Sequence, residues 1–342
     1  MDSPQFKRMT ANSAFLEREL SERDRNFEIV QTHISYVILS SRWAYKIKKS
    51  LELPFLDFTD VEQRHYYCHK ELDLNRRLAP HMYLSVLPVK EFDHQLFIGD
   101  GTGDTIDYAL KMKRMDNQLE MDRMLQSNTV LEEHIVGLAS YIADFHAKAA
   151  IVYPTFSLLH FQQLFNPITE LIPYIQKNLG RKYANIVTLA VQLSNQFLEY
   201  NLGQINQRKE SGMVRDVHGD LHCKNIFLTQ PPTIFDCIEF DSSLRQIDML
   251  DEIAFLAMDL EAFNHYSLAE LLYQQYVNQM ASHQLTQVGH TGLFAYYKMY
   301  RANVRAKVLA FQSQSATPAR KLWKEVKVYL DLIDHYSLQL KQ

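Results

Sequence analysis

The chain has 342 residues, which at roughly 150 residues per domain points to about two domains or lobes. Hydrophobic residues at 46% and charged residues at 22% argue against a disordered chain, and a net charge of −4 with a pI near 6.4 argues against nucleic acid or anionic lipid as partner. Three cysteines (Cys68, Cys223, Cys237) with no CxxC pair make neither a disulfide framework nor a structural zinc site, and fit a reducing compartment.

Residues Met1 to Leu20 mix Asp2, Lys7, Arg8, Glu17, Arg18 and Glu19, and so lack the apolar core of a signal peptide. No stretch approaches the ~18 uncharged apolar residues of a membrane span. A soluble, cytoplasmic protein with no membrane partner is expected.

From Phe27 to about Met115 the pattern is of short strands broken by turns. Ile34–Ser40 and Trp43–Lys48, separated by Ser41-Arg42, predict a hairpin. Val61–Leu78 predicts a helix closed by Pro80, with Tyr66, Leu72, Leu74 and Leu78 as its apolar positions. Leu84–Val89, Gln95–Ile98 and Thr105–Met112 are further strand candidates. The glycine cluster Gly99–Asp104 reads as a hairpin turn between the last two, since no Gly-Lys-Ser/Thr follows it. This makes about five strands around one helix. Beyond Met115 helical periodicity takes over. Leu131, Ile135, Leu138, Ile142 and Phe145 form one apolar stripe, and long patterns follow at Ile186–Tyr200, Met249–Phe263, Leu268–Ala281, Thr291–Phe311 and Leu322–Gln342. The expectation is an α+β fold with a strand-rich lobe at 1–115 and a helical lobe at 116–342.

The chemistry sits in a β-like interruption at Val214–Phe240. His218-Gly219-Asp220-Leu221-His222-Cys223-Lys224-Asn225 leads into a strand, Gln230-Pro231-Pro232 turns, and Asp236 ends the paired strand. This hairpin brings Asp220, Asn225 and Asp236 to one end. Phosphoryl transfer from ATP needs such a set: a carboxylate to take the acceptor's proton and oxygen ligands for Mg²⁺. The spacing His-x-Asp-x-x-x-x-Asn matches a kinase catalytic loop. A lone His-Gly-Asp is compatible with a simple turn, and His218 with a core histidine. His218, Asp220 and His222 as a zinc cluster of a hydrolase is a further alternative, but it leaves Asn225 and Asp236 without a role.

On the nucleotide side, Trp43-Ala44-Tyr45-Lys46 fits the strand that carries a phosphate-binding lysine. Ala44, Lys46 and Lys48 share a face, so Lys48 is the rival; the alanine register favours Lys46, with Ala44 against the base. A solvated lysine-rich strand end fits equally well when this segment is taken alone. Glu71 is the partner expected for Lys46, ahead of Glu62 at the helix start. The turn Gln31–Ser35 holds no glycine, so a protein kinase's Gly-rich loop is missing. The lobe connection Lys113–Met115 offers its backbone to adenine.

HGDLHCKN at His218–Asn225, with Asp236 beyond, resembles the aminoglycoside phosphotransferase and choline kinase-like family, which shares the protein-kinase-like fold. The surrounding THISYVIL, YKIKK, LNRRLAP and FDCIEFD are similar to a bacterial aminoglycoside phosphotransferase-like subgroup, often fused to a P-loop module that is missing from this chain. The resemblance runs from about Thr32 to Lys307. It implies a two-lobed fold and an ATP- and Mg²⁺-dependent small-molecule kinase. Asp220 would be the base, Asn225 and Asp236 the Mg²⁺ ligands, Lys46 and Glu71 the phosphate clamp, and His218 a support of the loop. Asp251 would be the acid that braces it. Glu239 or Asp241 is a further candidate for the metal, and a pseudokinase is the alternative to an active enzyme.

For the acceptor, the acidic run Asp236, Glu239, Asp241, Asp248, Asp251 and Glu252 would suit a polycation. Lys298, Arg301 and Arg305 at i, i+3 and i+7, beside Tyr297 and Lys307, would instead suit a phosphorylated or carboxylated acceptor, or form a solvated helix face. Arg301, Arg305 and Glu239 are the acceptor-binding candidates.

Overall fold

A computed structural model of the chain describes residues 1–10, 27–53, 56–315 and 319–341. Part of the Met1–Leu20 reading and the end of the last predicted helix, Gln342, lie outside the described residues. The fold is α+β and protein-kinase-like, a small antiparallel-sheet lobe and a large, mainly helical one. The chain divides into two compact units. The first joins Met1–Glu120 to Asn225–Ser242, and the second joins Met121–Lys224 to Ser243–Gln342. Asn225–Ser242, within the stretch 116–342 read as the helical lobe, belongs to the first unit.

In the first unit the elements run α1 (Ser3–Thr10), β1 (Glu28–Gln31), β2 (Ser35–Leu39), β3 (Trp43–Lys48), β4 (Glu52–Leu53), β5 (Leu56–Asp57), α2 (Val61–Arg76), β6 (Tyr83–Phe92), β7 (Gln95–Ile98) and β8 (Asp104–Lys113). Six strands form one sheet in the order β1-β2-β3-β8-β6-β7, every described pairing antiparallel. The predicted β2–β3 hairpin is present, with Leu39 opposite Ala44. The predicted hairpin across Gly99–Asp104 is not. β7 and β8 lie on either side of β6, and the tight turn is Asp93-His94, both with positive φ (49° and 60°).

Period-two alternation divides β3 between two cores. Tyr45 and Ile47, both fully buried, join Phe6, Met9, Tyr36, Ile38 and Val89 under α1. On the other face Ala44 packs with Leu72 of α2, Leu110, Met112 and Phe227. The buried face of α2 is largely polar: Arg64, Glu71 and Asn75 are buried beside Cys68 and Leu72, whereas Tyr66 is exposed. Burying such groups is costly unless each is paired. Arg64 donates to Asp107 (2.9 Å) and to the carbonyl of Phe58, and Asn75 donates to the carbonyl of Glu71 (2.9 Å).

The second unit holds α3 (Met121–Gln126), α4 (Glu132–Lys148), α5 (Leu158–Phe165), α6 (Ile172–Leu179), α7 (Arg181–Glu210) and β9 (Val214–Asp216). After β10 (Ile226–Phe227) and β11 (Thr233–Ile234) of the first unit, it continues with β12 (Gln246–Asp248), α8 (Met249–Ala262), α9 (Tyr266–Ser282), α10 (Thr291–Ser315) and α11 (Ala319–Gln339). β9 and β12 pair antiparallel, and α8 is the central helix, buried at every residue from Met249 to Glu261. Among the described residues no helix is long and apolar enough to cross a membrane.

Candidate active site

Each unit carries a cluster of the sequence-predicted site residues. In the first, Lys46 and Lys48 project from one face of β3 onto Glu71 of α2. Lys46 Nζ donates to Glu71 Oε1 and to Asp236 Oδ1, both at 2.7 Å. Lys48 Nζ donates to Glu71 Oε2 at 2.7 Å and to Glu239 Oε1 at 2.5 Å. Asp236 thus sits on Lys46, not on Lys48. Burial opposes charge on Glu71, but the two ammonium groups outweigh it and hold the carboxyl down at about 2. Burial likewise opposes charge on Lys46, and Asp236 and Glu71 overcome it, raising its pKa.

The hairpin β10–β11 delivers Asp236. Ile226 pairs with Ile234, and the carbonyl of Asn225 accepts the N–H of Phe235, so Asn225 and Asp236 lie at the same end of the hairpin. Asp236 has φ 65°, a conformation a non-glycine residue rarely holds without a reason, and its side chain is 48% exposed. Glu239 is buried on Lys48. The carboxylate of this acceptor candidate is occupied inside the fold. Ala44 is 4% exposed and Met115 half-buried in the same apolar cluster. The N–H of Lys113 is already given to the carbonyl of Met82 (2.8 Å) and that of Arg114 to Arg42, so Lys113 has no backbone donor left for a base.

In the second unit the loop around Asp220 hangs from α8. Glu252 accepts the N–H groups of His218 (3.2 Å) and Gly219 (2.5 Å), and its Oε2 meets His146 Nε2 at 2.8 Å. Seven residues on, Asp259 accepts the N–H of Cys223 (2.9 Å) and the hydroxyl of Tyr329 (2.9 Å). Asp251, the expected brace, acts one step removed. Arg301 grips it with Nε and Nη2, both at 2.7 Å, and Arg301 Nη1 donates to the carbonyl of Gly219 (3.3 Å). Burial disfavours charge on Glu252, yet His146 and the backbone donors hold its pKa down. Gly219 has φ 88°, and a Cβ there would lie 2.8 Å from the carbonyl oxygen of Leu244, so both the turn and the close approach require glycine.

His218, buried, accepts the N–H of Asp220 on Nδ1 (3.2 Å), a support of the loop. The Asp220 carboxylate is 37% exposed, with His222 Nε2 3.4 Å from it. Burial is opposed by His222, Arg305 and His218, and the balance holds Asp220 well below the usual carboxylate range. Among the described residues no group of three or more His, Cys, Asp or Glu side chains is arranged to hold a metal ion, so the zinc cluster of the hydrolase alternative is not formed.

The basic face of α10 is turned inward, and Arg301, an acceptor candidate, is buried against Asp251. Lys298 pairs with Glu261 (2.7 Å), Arg301 with Asp251, and Lys307 donates to the carbonyl of Leu164 (2.6 Å). Arg305, another acceptor candidate, helps to hold the Asp220 carboxylate ionised. Sequence reasoning missed Asp259 and His146, and named Glu252 only as part of an acidic run. The available signal was the pair of acids seven residues apart, which places both on one face of the helix.

No protein-family model matches the chain. It is 26% identical over 296 residues to uncharacterized proteins of Mycobacterium tuberculosis and Mycobacterium bovis, covering 85% of this chain and 56% of each of theirs. The chain spans about half the length of these curated relatives. Among solved structures it is similar to a choline kinase from Cryptosporidium parvum, with TM-score 0.52 and 14% identity over 96% of this chain and 93% of that one. A glucosamine kinase gives TM-score 0.49 and 11% identity over 97% and 85%. At these identities the likeness is one of fold.

Proposed function

We propose that the protein is a phosphotransferase that moves the γ-phosphate of ATP, with Mg²⁺, to a hydroxyl of a small molecule. The observation that carries this reading is Lys46, bonded at once to a helix glutamate and to a half-exposed, positive-φ aspartate. A lysine so placed is suited to the α- and β-phosphates, and the fold shared with a choline kinase supports a small-molecule acceptor.

The donor set suits the cofactor: Asp236 and the amide of Asn225 are hard oxygen ligands, and Mg²⁺ commonly takes one or two such groups and completes its shell with phosphate and water. When bound, MgATP supplies the electrophilic phosphorus and the charge neutralisation. Lys46 holds phosphate and Glu71 orients Lys46. Ala44 and Met115, in an apolar cluster, suit the base. Asp220 takes the proton of the acceptor hydroxyl. Held below the usual carboxylate range, it is ionised throughout the neutral region and is a weak base, which fits a transition state in which the proton leaves late. His218 keeps the loop turn in place.

The test is ADP release with MgATP across aminoglycosides, choline-like amines, sugars, nucleosides and phosphorylated metabolites, beside Asp220→Asn. Turnover on one class, lost in the variant, is expected. MgATP binding without turnover on any class would favour a pseudokinase, and turnover retained by Asp220→Asn would overturn the assigned base.

A further inference from the structure

We propose that Lys48 and Glu239 are a positioning pair, which keeps the Glu71 carboxylate and the Asp236 turn in place when Lys46 gives up Asp236 to a Mg²⁺-bound nucleotide. The inference rests on the phosphotransferase reading and assigns a task to two residues that reading leaves idle.

The five charged groups form a chain in the order Asp236–Lys46–Glu71–Lys48–Glu239, with each lysine between two carboxylates. Its two ends differ. At the Asp236 end the side chains of lysine and aspartate are 11% and 48% exposed, so solvent and a ligand reach this bond. At the Glu239 end they are 1% and 5% exposed. Lys48 Nζ also lies 5.0 Å from the centre of the Phe58 ring. One end is therefore open to exchange and the other is fixed.

The fixed end has a physical purpose. A buried carboxylate that loses its cation is strongly destabilised. If Lys46 were the sole partner of Glu71, each movement of Lys46 toward phosphate would strain that contact. Because Glu71 gives one oxygen to each lysine, Lys48 keeps it compensated while Lys46 shifts. The same pair ties down the turn. Glu239 is three residues beyond Asp236, and between them the N–H of Cys237 is held by Asn75 Oδ1 of α2 at 2.9 Å. Anchored at 237 and 239, the segment leaves Asp236 as the group able to change partners.

The experiment compares wild type, Lys48→Met, Glu239→Gln, the double variant Lys48→Met/Glu239→Gln, and Lys48→Arg. Thermal unfolding reports the fold, and calorimetric titration with MgADP and with metal-free ADP reports the site. The double variant removes both charges of the pair and leaves neither orphaned, so it regains stability relative to Lys48→Met. It is expected to bind MgADP about tenfold more weakly than wild type, with metal-free ADP changed by less than about threefold. Lys48→Arg keeps the charge and is expected to recover most of the MgADP affinity. A folded double variant that binds MgADP as wild type does would make the pair a core contact only and overturn the proposal. If the double variant does not fold, Glu239→Gln decides: MgADP binding weakened at least about threefold supports the pair, and unchanged binding overturns it. Wild type that binds no MgADP would remove the nucleotide reading itself, and the pair's role with it.

Discussion

The two units handle buried charge differently. Around Lys46 the charges meet side chain to side chain, two lysines shared among three carboxylates, and one end of the chain is open to solvent. Around Asp220 the carboxylates of α8 hold backbone instead: Glu252 takes two loop N–H groups, Asp259 a third, and Asp251 reaches the Gly219 carbonyl through Arg301. A side-chain ion pair exchanges one cation for another by a rotamer change. A backbone amide cannot leave without unfolding its loop. The first arrangement suits a site that trades partners on binding a ligand, and the second suits a group that must keep one position.

Breaking the comparison at its chemical end gives the largest effect. Asp220→Asn is expected to lower turnover by about 10²–10⁴-fold in steady-state assays while MgADP affinity by calorimetry stays near that of wild type. The fixed network comes next. Glu252→Ala removes the partner of two loop amides and of His146 Nε2 together, so urea unfolding is expected to show a loss of about 3–5 kcal/mol; Glu252→Gln, which keeps one of the two acceptor oxygens, should lose about 1–3 kcal/mol. A Glu252→Ala protein as stable as wild type would mean that the loop is not hung from α8.

The exchangeable network should be more forgiving. Lys46→Met leaves Glu71 bonded to Lys48, so a loss of only about 1–2 kcal/mol is expected by the same measurement, with MgADP binding strongly weakened. Its pH signature has a definite sign. Glu71 is held near 2, below its ordinary 4.5, so its contribution is complete above pH 4.5 and is lost as pH falls toward 2. Removing Lys46 should move the acid-unfolding midpoint upward.

The smallest effect concerns Lys307, which donates to a carbonyl where its neighbours on α10 have carboxylates. Burial pulls its pKa down to about 8, against a weak opposing pull from Glu170. Between pH 8 and 10.5 the unfolded chain binds the extra proton, so stability rises with pH across that window. Lys307→Met should be about 1–2 kcal/mol more stable than wild type at pH 7 and should flatten that rise in a series of urea midpoints.

Much of this was legible in the residues. The β2–β3 hairpin, the helix read over Val61–Leu78 and found over Val61–Arg76, and the paired strands that lead to Asp236 follow from alternation, turn residues and periodicity. The β6–β7 turn was not, because Asp93-His94 adopts positive φ without the glycine that usually announces it. α2 misled for a different reason: its buried face is built from Arg64, Glu71 and Asn75, whose burial rests on partners distant in sequence. For α10, periodicity correctly put Lys298 and Arg301 together but did not say which side faced inward. That depends on Glu261 and Asp251, on another helix.

The turn between β1 and β2 has no glycine, and a threonine closes it: Thr32 Oγ1 accepts the N–H of Ser35 (2.9 Å), while Lys49 Nζ reaches the Thr32 carbonyl (2.5 Å). A tip fastened at both its hydroxyl and its carbonyl does not fray residue by residue. In amide hydrogen exchange the N–H groups of Thr32 and Ser35 should therefore swap deuterium together, in one opening event shared with the strands. A glycine-tipped hairpin would show a gradient of rates falling from tip to base.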